Sequence, residues 1–401
     1  MITKTDIFES APFPSCHAAT LVETGRGILA AWFGGSREGA ADVCVYTARL
    51  EGGRWSPPRL VADGSPYPCW NPVLFRPRGG PVMLSYKVGP NPRDWWGMVK
   101  TSEDEGESWS AARRLPDGLL GPIKNKPVQL PSGRIIAPSS REGFLDPNND
   151  GGALDDTVSP RAKVPASWGV YFEISDDGAE SWRATPMVQA DAGIAAIQPS
   201  ILVHSPTTLQ AIGRTRNSWR LFETWSHDGG ETWSRLALMS LPNCNSGTDA
   251  VTLRVEDSPL AGGCDEHGRG ARGTDMSSNT GASPVVGGGI EHGRGARATA
   301  RHVLVYNHSN IEKVRYPLNL ALSPDGKMWF AGIEIESEPP GQYSYPAIIQ
   351  ASDGLVHVAY TWKRRRIRHA VIDARRIEPR PIETFVCPPP GSPTHRVDAS
   401  Q

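Results

Sequence analysis

The chain has 401 residues with 42 Lys+Arg against 43 Asp+Glu, so no bulk charge draws it to nucleic acid or to a membrane surface. It contains no apolar run of about 18 residues, and its start, Met1-Ile-Thr-Lys-Thr-Asp-Ile-Phe8, lacks a signal-peptide apolar core. The 42 Gly, 36 Pro and 13 Trp favour many short strands joined by turns over long helices.

In chain order, His17-Ala-Ala-Thr-Leu-Val22 followed by Gly27-Ile-Leu-Ala-Ala-Trp32 reads as strand, glycine turn, strand. The unit recurs at Asn71-Pro-Val-Leu-Phe75 with Pro81-Val-Met-Leu-Ser-Tyr86, and at Lys126-Pro-Val-Gln-Leu130 with Arg134-Ile-Ile-Ala-Pro138. Gln198-Pro-Ser-Ile-Leu-Val203 with Thr208-Leu-Gln-Ala-Ile-Gly213 is the fourth. The fifth begins at Asp249-Ala-Val-Thr-Leu253 and resumes at His302-Val-Leu-Val-Tyr306; the sixth is Tyr345-Pro-Ala-Ile-Ile349 with Leu355-Val-His-Val-Ala-Tyr360.

A second repeat follows these hairpins. Ser102-Glu-Asp-Glu-Gly-Glu-Ser-Trp109 and Ser226-His-Asp-Gly-Gly-Glu-Thr-Trp233 share the form S-x-D-x-G-x-[ST]-W. Ser175-Asp-Asp-Gly-Ala-Glu-Ser-Trp182 carries Ala179 where glycine is expected, and Ser323-Pro-Asp-Gly-Lys-Met-Trp329 is one residue short. Each joins two strand-forming runs. The Asp is expected to cap turn N–H groups, the Gly to take φ > 0, and the Trp to pack between repeats.

Six units of roughly 50–70 residues with four strands each predict an all-β, six-bladed β-propeller over residues 1–375, with 376–401 as a C-terminal tail. The sixth unit lacks an outer strand after Ile367-Arg-His-Ala-Val-Ile-Asp373, which residues near Asp6-Ile-Phe8 are expected to supply. Residues 255–299 interrupt the fifth unit with Gly, Ser and Arg and repeat Glu-His-Gly-Arg-Gly-Ala-Arg, so this insertion is expected to be disordered. The six cysteines show no CxxC and no regular spacing, which predicts free thiols and a cytoplasmic protein. Lys363-Arg-Arg-Arg366 reads as a solvated edge cluster.

In an antiparallel blade alternate turns lie on opposite faces. The starts of the first strands and the loops between second and third strands therefore share the face away from the Asp-containing turns. That face gathers His17, Trp70, Asn71, Lys124, Asn125, Lys126, Gln198, Asn245, Asp249, Tyr343 and Tyr345 from strand starts, and Arg37, Asp42, Arg93, Asp94, Arg141, Arg214, Arg216, Asn307 and Arg315 from loops. The result is a polar, cationic funnel with aromatic walls. The 255–299 insertion falls on the opposite face.

With these motifs the chain resembles the sialidase (neuraminidase) superfamily, in its group of sialidase-like BNR-repeat proteins, over residues 13–373 without 255–299. The resemblance implies a glycosidase. Arg37 and Asp42, five residues apart, match a loop arginine and the acid/base Asp. Arg214, with Arg216 as the register alternative, and Arg315 match arginines that bind a substrate carboxylate. Tyr343 before Ser344 matches the nucleophilic Tyr. Two positions depart from the family: His17 replaces the first arginine, and Gln198 replaces the Glu that takes the proton from the nucleophile.

Three functions follow from this pattern. The first is an exo-acting, sialidase-type hydrolase that releases a terminal acidic sugar, with Asn71, Lys126 and Asp249 among its binding groups. The second is a polysaccharide lyase on a uronate, with His17, Tyr343 or Lys126 near the proton that leaves. The third is a sugar-binding propeller without catalysis. Each implies an acidic carbohydrate partner, a monomer, and no cofactor or metal.

Overall fold

The computed structural model describes residues 2–144, 166–254, 300–389 and 392. They form six antiparallel sheets arranged as the blades of a propeller. Blade I is built from Ser15–Thr24, Gly27–Gly35 and Cys44–Glu51, with Arg54–Trp55 and Arg59–Ala62 at its rim. Blade II holds Cys69–Phe75, Val82–Val88, Trp96–Ser102 and Arg113–Arg114; blade III holds Val128–Gln129, Ile135–Phe144, Ala166–Ser175 and Arg183–Ala184. Blade IV runs Ala196–Val203, Leu209–Thr215, Arg220–Ser226 and Ala237–Pro242. Blade V comprises Asp249–Thr252, His302–Asn307, Leu318–Ser323 and Phe330–Glu336. Blade VI is Tyr343–Gln350, Val356–Trp362 and Arg366–Ile372, closed by the N-terminal strand Ile2–Asp6. The closing strand pairs Ile2 with Ile372 and Asp6 with Arg368, and Ile7 N–H still donates to Ile367 O. The expected closure therefore forms, a few residues earlier in the chain than Asp6-Ile-Phe8.

The inner strands read as apolar runs because neighbouring blades cover both of their faces. The core is accordingly divided into slabs, one at each blade junction. Leu29, Val45, Leu74 and Leu84 fill the I/II slab, Phe172, Ile201 and Phe222 the III/IV slab, and Val305, Leu320, Ile348 and Val358 the V/VI slab. The II/III junction is the sparsest, with Met83, Val99, Ile135 and Ala179. There a polar group crosses the gap. Glu173 accepts from Leu120 N at 2.8 Å, Gly121 N at 2.9 Å and Tyr171 Oη at 3.2 Å, and Lys87 Nζ donates to Pro122 O.

The Asp-containing turns behave as their sequence requires. Asp228 Oδ1 receives the Ser226 hydroxyl at 2.8 Å and Thr232 N–H at 3.0 Å, while Gly230 N–H donates to Ser226 Oγ. Gly230 holds φ +91°, and a Cβ there would meet Ile136 of blade III at 2.8 Å. Trp233 stacks on Phe172 of that blade at 3.8 Å between ring centres. Ala179 is forced to φ +82° in the same role.

The 255–299 insertion lies outside the described residues. Its flanks pair, Thr252 opposite Val303's neighbour His302, at the strand ends remote from Asp249. The described part of the tail packs back on blade V: Arg380 exchanges backbone hydrogen bonds with Ala331, and Phe385 is buried. The described cysteines, 16, 44, 69, 244 and 387, are free thiols. No helix among the described residues is long and apolar enough to cross a membrane.

Candidate active site

Four inner strands carry the same irregularity near their start. Ladder pairing skips two residues after His17, Trp70, Ile197 and Ser344. The first skipped residue in each blade has positive φ: Ala18 (+57°), Asn71 (+37°), Gln198 (+58°) and Tyr345 (+52°). In three of the four the next residue is proline (Pro72, Pro199, Pro346), which has no N–H to offer the ladder and so fits only at a bulge. Positive φ in a residue with a side chain costs about 1–3 kcal/mol and persists where packing enforces it. The repeated bulge sets the register of the funnel, and in blade VI it selects Tyr345.

Tyr345 is the centre of the cluster. The His17 ring lies 4.1 Å from the Tyr345 ring. The guanidinium carbons of Arg214 and Arg315 are 5.4 and 5.7 Å from its ring centre, and Lys124 Nζ is 5.8 Å away. Gln198 Nε2 reaches its hydroxyl at 3.5 Å. Arg214 ends the second strand of blade IV opposite Ile197, and Arg315 is fixed by its backbone carbonyl, which accepts from Tyr343 N at 3.0 Å. The structure thus brings together His17, Gln198, Arg214 and Arg315 as the sequence placed them.

The cluster is short of acceptors and donors. His17 Nε2, Gln198 Oε1, Arg214 Nε and Arg315 Nη1 are enclosed and have no hydrogen-bond partner among the described residues. His17 uses only Nδ1, which meets Thr361 Oγ1 at 2.8 Å. Burial, followed by the charges of Arg364, Arg315, Lys124 and Arg214, holds its pKa well below the usual histidine range, so the ring is neutral. Burial, then the neighbouring charges of Arg364 and Arg214, also lower the Arg315 pKa.

Other expected residues go elsewhere. Tyr343 is fully buried in the V/VI slab, and its hydroxyl donates to Glu338 O at 3.0 Å; burial and nearby Glu336 push its pKa up to about 12. It packs in the wall because it stands two residues before the bulge, not at it. Lys126 and Asp249 bind each other at 3.1 Å, and Asp249 also accepts from Ser200 Oγ and Ile348 N, so the pair ties blades III to VI. Asp42 is exposed and caps its own loop through Ser36 N and Oγ, both at 2.9 Å. Arg37 is exposed on that loop, and Asn71 occupies the blade II bulge. Arg216 lies beside the cluster, 5.6 Å from the Trp168 ring centre.

Two functional candidates escaped the sequence reading. Arg364 is not a solvated edge residue: its side chain is 12% exposed, pairs with Glu38 at 2.7 Å, and lies close enough to depress the pKa values of His17 and Arg315. Glu142 accepts from Trp168 Nε1 at 3.1 Å, and the Trp168 ring lies 5.1 Å from the Arg214 guanidinium. Burial raises the Glu142 pKa against the opposing pull of Arg214. The position before Pro346 was the available signal for Tyr345; Glu142 and Arg364 sit among adjacent charges with nothing in the sequence to single them out.

The BNR repeat-like domain family matches residues 26–270 and 290–358. This chain belongs to that family. Its fold is that of sialidases. The NanB sialidase of Streptococcus pneumoniae is similar at 12% identity and a TM-score of 0.63, with 93% of this chain and 71% of that one covered. A Hadza microbial sialidase is similar at 13% identity and a TM-score of 0.64, over 91% of this chain and 66% of that one. A protein of unknown function from Dyadobacter fermentans matches at 14% identity and 0.62, over 92% and 98%. No curated protein matches the chain by sequence.

Proposed function

We propose that this BNR-repeat propeller is a sialidase-type glycosidase that removes a terminal acidic sugar from a glycoconjugate. The observation that carries this reading is the ring of enclosed, unpartnered polar atoms around Tyr345, two of them on arginines. Leaving such atoms unpaired costs about 1–3 kcal/mol each, and a carboxylate ligand recovers that cost at the two arginines through charge-assisted hydrogen bonds. Arg214 and Arg315 hold the sugar carboxylate. Tyr345 faces the anomeric carbon as nucleophile or stabiliser, as in the Tyr-based exceptions to the two-carboxylate rule. Glu142, whose pKa is raised by burial, gives its proton to the leaving oxygen.

The lyase alternative needs a base near the substrate proton. His17 is held neutral with a depressed pKa, so it is a weak base at neutral pH. Lys124 has its pKa lowered to about 7 by burial, yet its three N–H groups are spent on Asn125 Oδ1, Thr248 O and Pro346 O. Lys124 is committed to those acceptors and His17 is only weakly basic, which disfavours either as the base.

The test is incubation with sialosides and uronides, read by mass and by ultraviolet absorbance. Release of a saturated acidic sugar supports the proposal. An unsaturated, absorbing uronate supports elimination, and binding without turnover across pH supports a lectin-like propeller.

A further inference from the structure

The sparse II/III junction opens on the Tyr345 face into a cleft of about 400 Å³, lined by Arg93, Trp95, Trp96, Arg114, Arg141 and Glu142 among others. It is contiguous with the central cluster in two ways. Glu142 lines the cleft and also accepts from Trp168, which packs on Arg214. An aromatic series joins the two as well: Trp95 to Trp70 at 6.0 Å, Trp70 to Phe33 at 6.3 Å, Phe33 to His17 at 5.7 Å, and His17 to Tyr345 at 4.1 Å.

The cleft is built for a polar ligand with an apolar face. Trp95 is only 9% exposed, and its indole Nε1 is enclosed without a partner among the described residues. Trp96 offers a ring already flanked by the Arg114 guanidinium at 5.2 Å, so a stacked group there lies beside a positive charge. Among the described residues the lining carries three arginines, Arg93, Arg114 and Arg141, and two carboxylates, Asp117 and Glu142.

We infer that this cleft is a second sugar subsite, which takes the unit on the far side of the scissile bond and prefers that unit to be acidic. The inference rests on the glycosidase reading of the Tyr345 cluster, since the group that protonates the glycosidic oxygen must touch both sugars, and Glu142, the acid of that reading, lines this cleft while bonded to Trp168, which packs on Arg214. The preferred ligand is therefore an oligosaccharide of linked acidic sugars.

Calorimetric titration tests this without requiring turnover. The probes are sialic acid with disialic acid, and galacturonic acid with digalacturonic acid, against the full chain and its Trp96→Ala, Arg93→Ala and Arg214→Ala variants, each checked by thermal melt. In one of the two pairs the dimer is expected to bind at least about tenfold more tightly than the monomer. That excess should vanish in Trp96→Ala and shrink in Arg93→Ala, with monomer affinity unchanged. Arg214→Ala should weaken monomer and dimer alike. Equal affinity of monomer and dimer in both pairs, or an excess that survives both cleft substitutions, overturns the subsite while leaving the central site intact. Absence of binding by every probe, or monomer binding indifferent to Arg214→Ala, overturns the central reading instead. Trp96→Phe keeps an aromatic platform and should retain most of the excess, which separates stacking from a packing defect.

Discussion

The imidazole of His17 lies 4.1 Å from the ring of Tyr345, tilted by 46°, with its Nδ1 held by Thr361 and its Nε2 left open. The contact joins blade I to blade VI at the position where the funnel narrows. On the proposed glycosidase reading this contact favours Tyr345 as the reactive tyrosine over Tyr343, two residues away and packed in the wall. Tyr345→Phe is expected to lower turnover of an acidic glycoside by at least about 10²-fold with an unchanged melt. Tyr343→Phe should keep turnover within a few-fold and cost about 0.5–1.5 kcal/mol of stability, the worth of its hydrogen bond to Glu338. Kinetics and denaturation of the two variants side by side decide it; the reverse pattern would return the role to Tyr343.

Arg315 couples binding to a stability cost. The charges of Arg364 and Arg214 oppose its own, and its Nη1 has no hydrogen-bond partner among the described residues. Arg315→Met should weaken acidic ligands by roughly 2–5 kcal/mol, and neutral analogues far less. The same change should raise the stability of the unliganded protein by about 1 kcal/mol, because a buried, unpaired charge is removed. Calorimetric titration and a denaturant melt measure both. A destabilised Arg315→Met protein would mean that the guanidinium holds the scaffold.

Glu142 predicts the pH profile. Its pKa is raised by burial, so the protonated acid persists above the usual carboxylate range and is lost as pH rises through the folded value. Turnover of natural glycosides should therefore fall on the alkaline limb. Glu142→Gln should remove that limb and cut turnover by about 10²–10⁴-fold for poor leaving groups, while sparing activated aryl glycosides. An unchanged limb in Glu142→Gln would assign the acid to another group, with Asp42 next in line.

Gln198 stands where a proton acceptor for Tyr345 is missing, its amide nitrogen 3.5 Å from the hydroxyl. Gln198→Glu places a carboxylate there beside the cations. Sialoside turnover is expected to rise by about tenfold or more. A fall instead would indicate that the new charge repels the substrate carboxylate.

The Asp-containing turns make two stability predictions. Ala179 carries φ +82° where the other copies have glycine, so Ala179→Gly should gain up to about 1 kcal/mol. Hydrogen bonds from the Ser181 hydroxyl and N–H hold Asp177 at a pKa of about 2, below its unfolded value. Its contribution is present above the unfolded pKa and disappears as pH falls from about 4 towards 2. Asp177→Asn should flatten the melting temperature across that window; an identical acid slope in wild type and variant would place the acid sensitivity elsewhere.

The blades were readable because each turn chemistry repeats, and repetition turns a weak local signal into a strong one. The tyrosine was not, because Tyr343-Ser344 and Tyr345-Pro346 overlap, and only the recurring residue-before-proline step at Asn71 and Gln198 shows which one sits on the bulge. Lys126 was expected in the funnel, but it lines a pocket with Glu23, Arg76 and Gln350 at the other end of the strands and pairs with Asp249 of blade V; no single-strand pattern reveals a pairing between blades. Arg364 was hidden by its charged neighbours, which part company in space: Arg366 joins Asp6 at 2.8 Å, while Arg364 turns to Glu38.

The strand Ile2–Asp6 belongs to the same sheet as Arg366–Ile372, which has a consequence for how the protein is made. Ile2–Asp6 cannot find its partners until the strand Arg366–Ile372 has been made. During synthesis the ring stays open between blades VI and I, and the Phe8–Trp32 stack lies at that seam. Tyr345 and His17 come from opposite sides of the same seam, so their contact forms only when the circle closes.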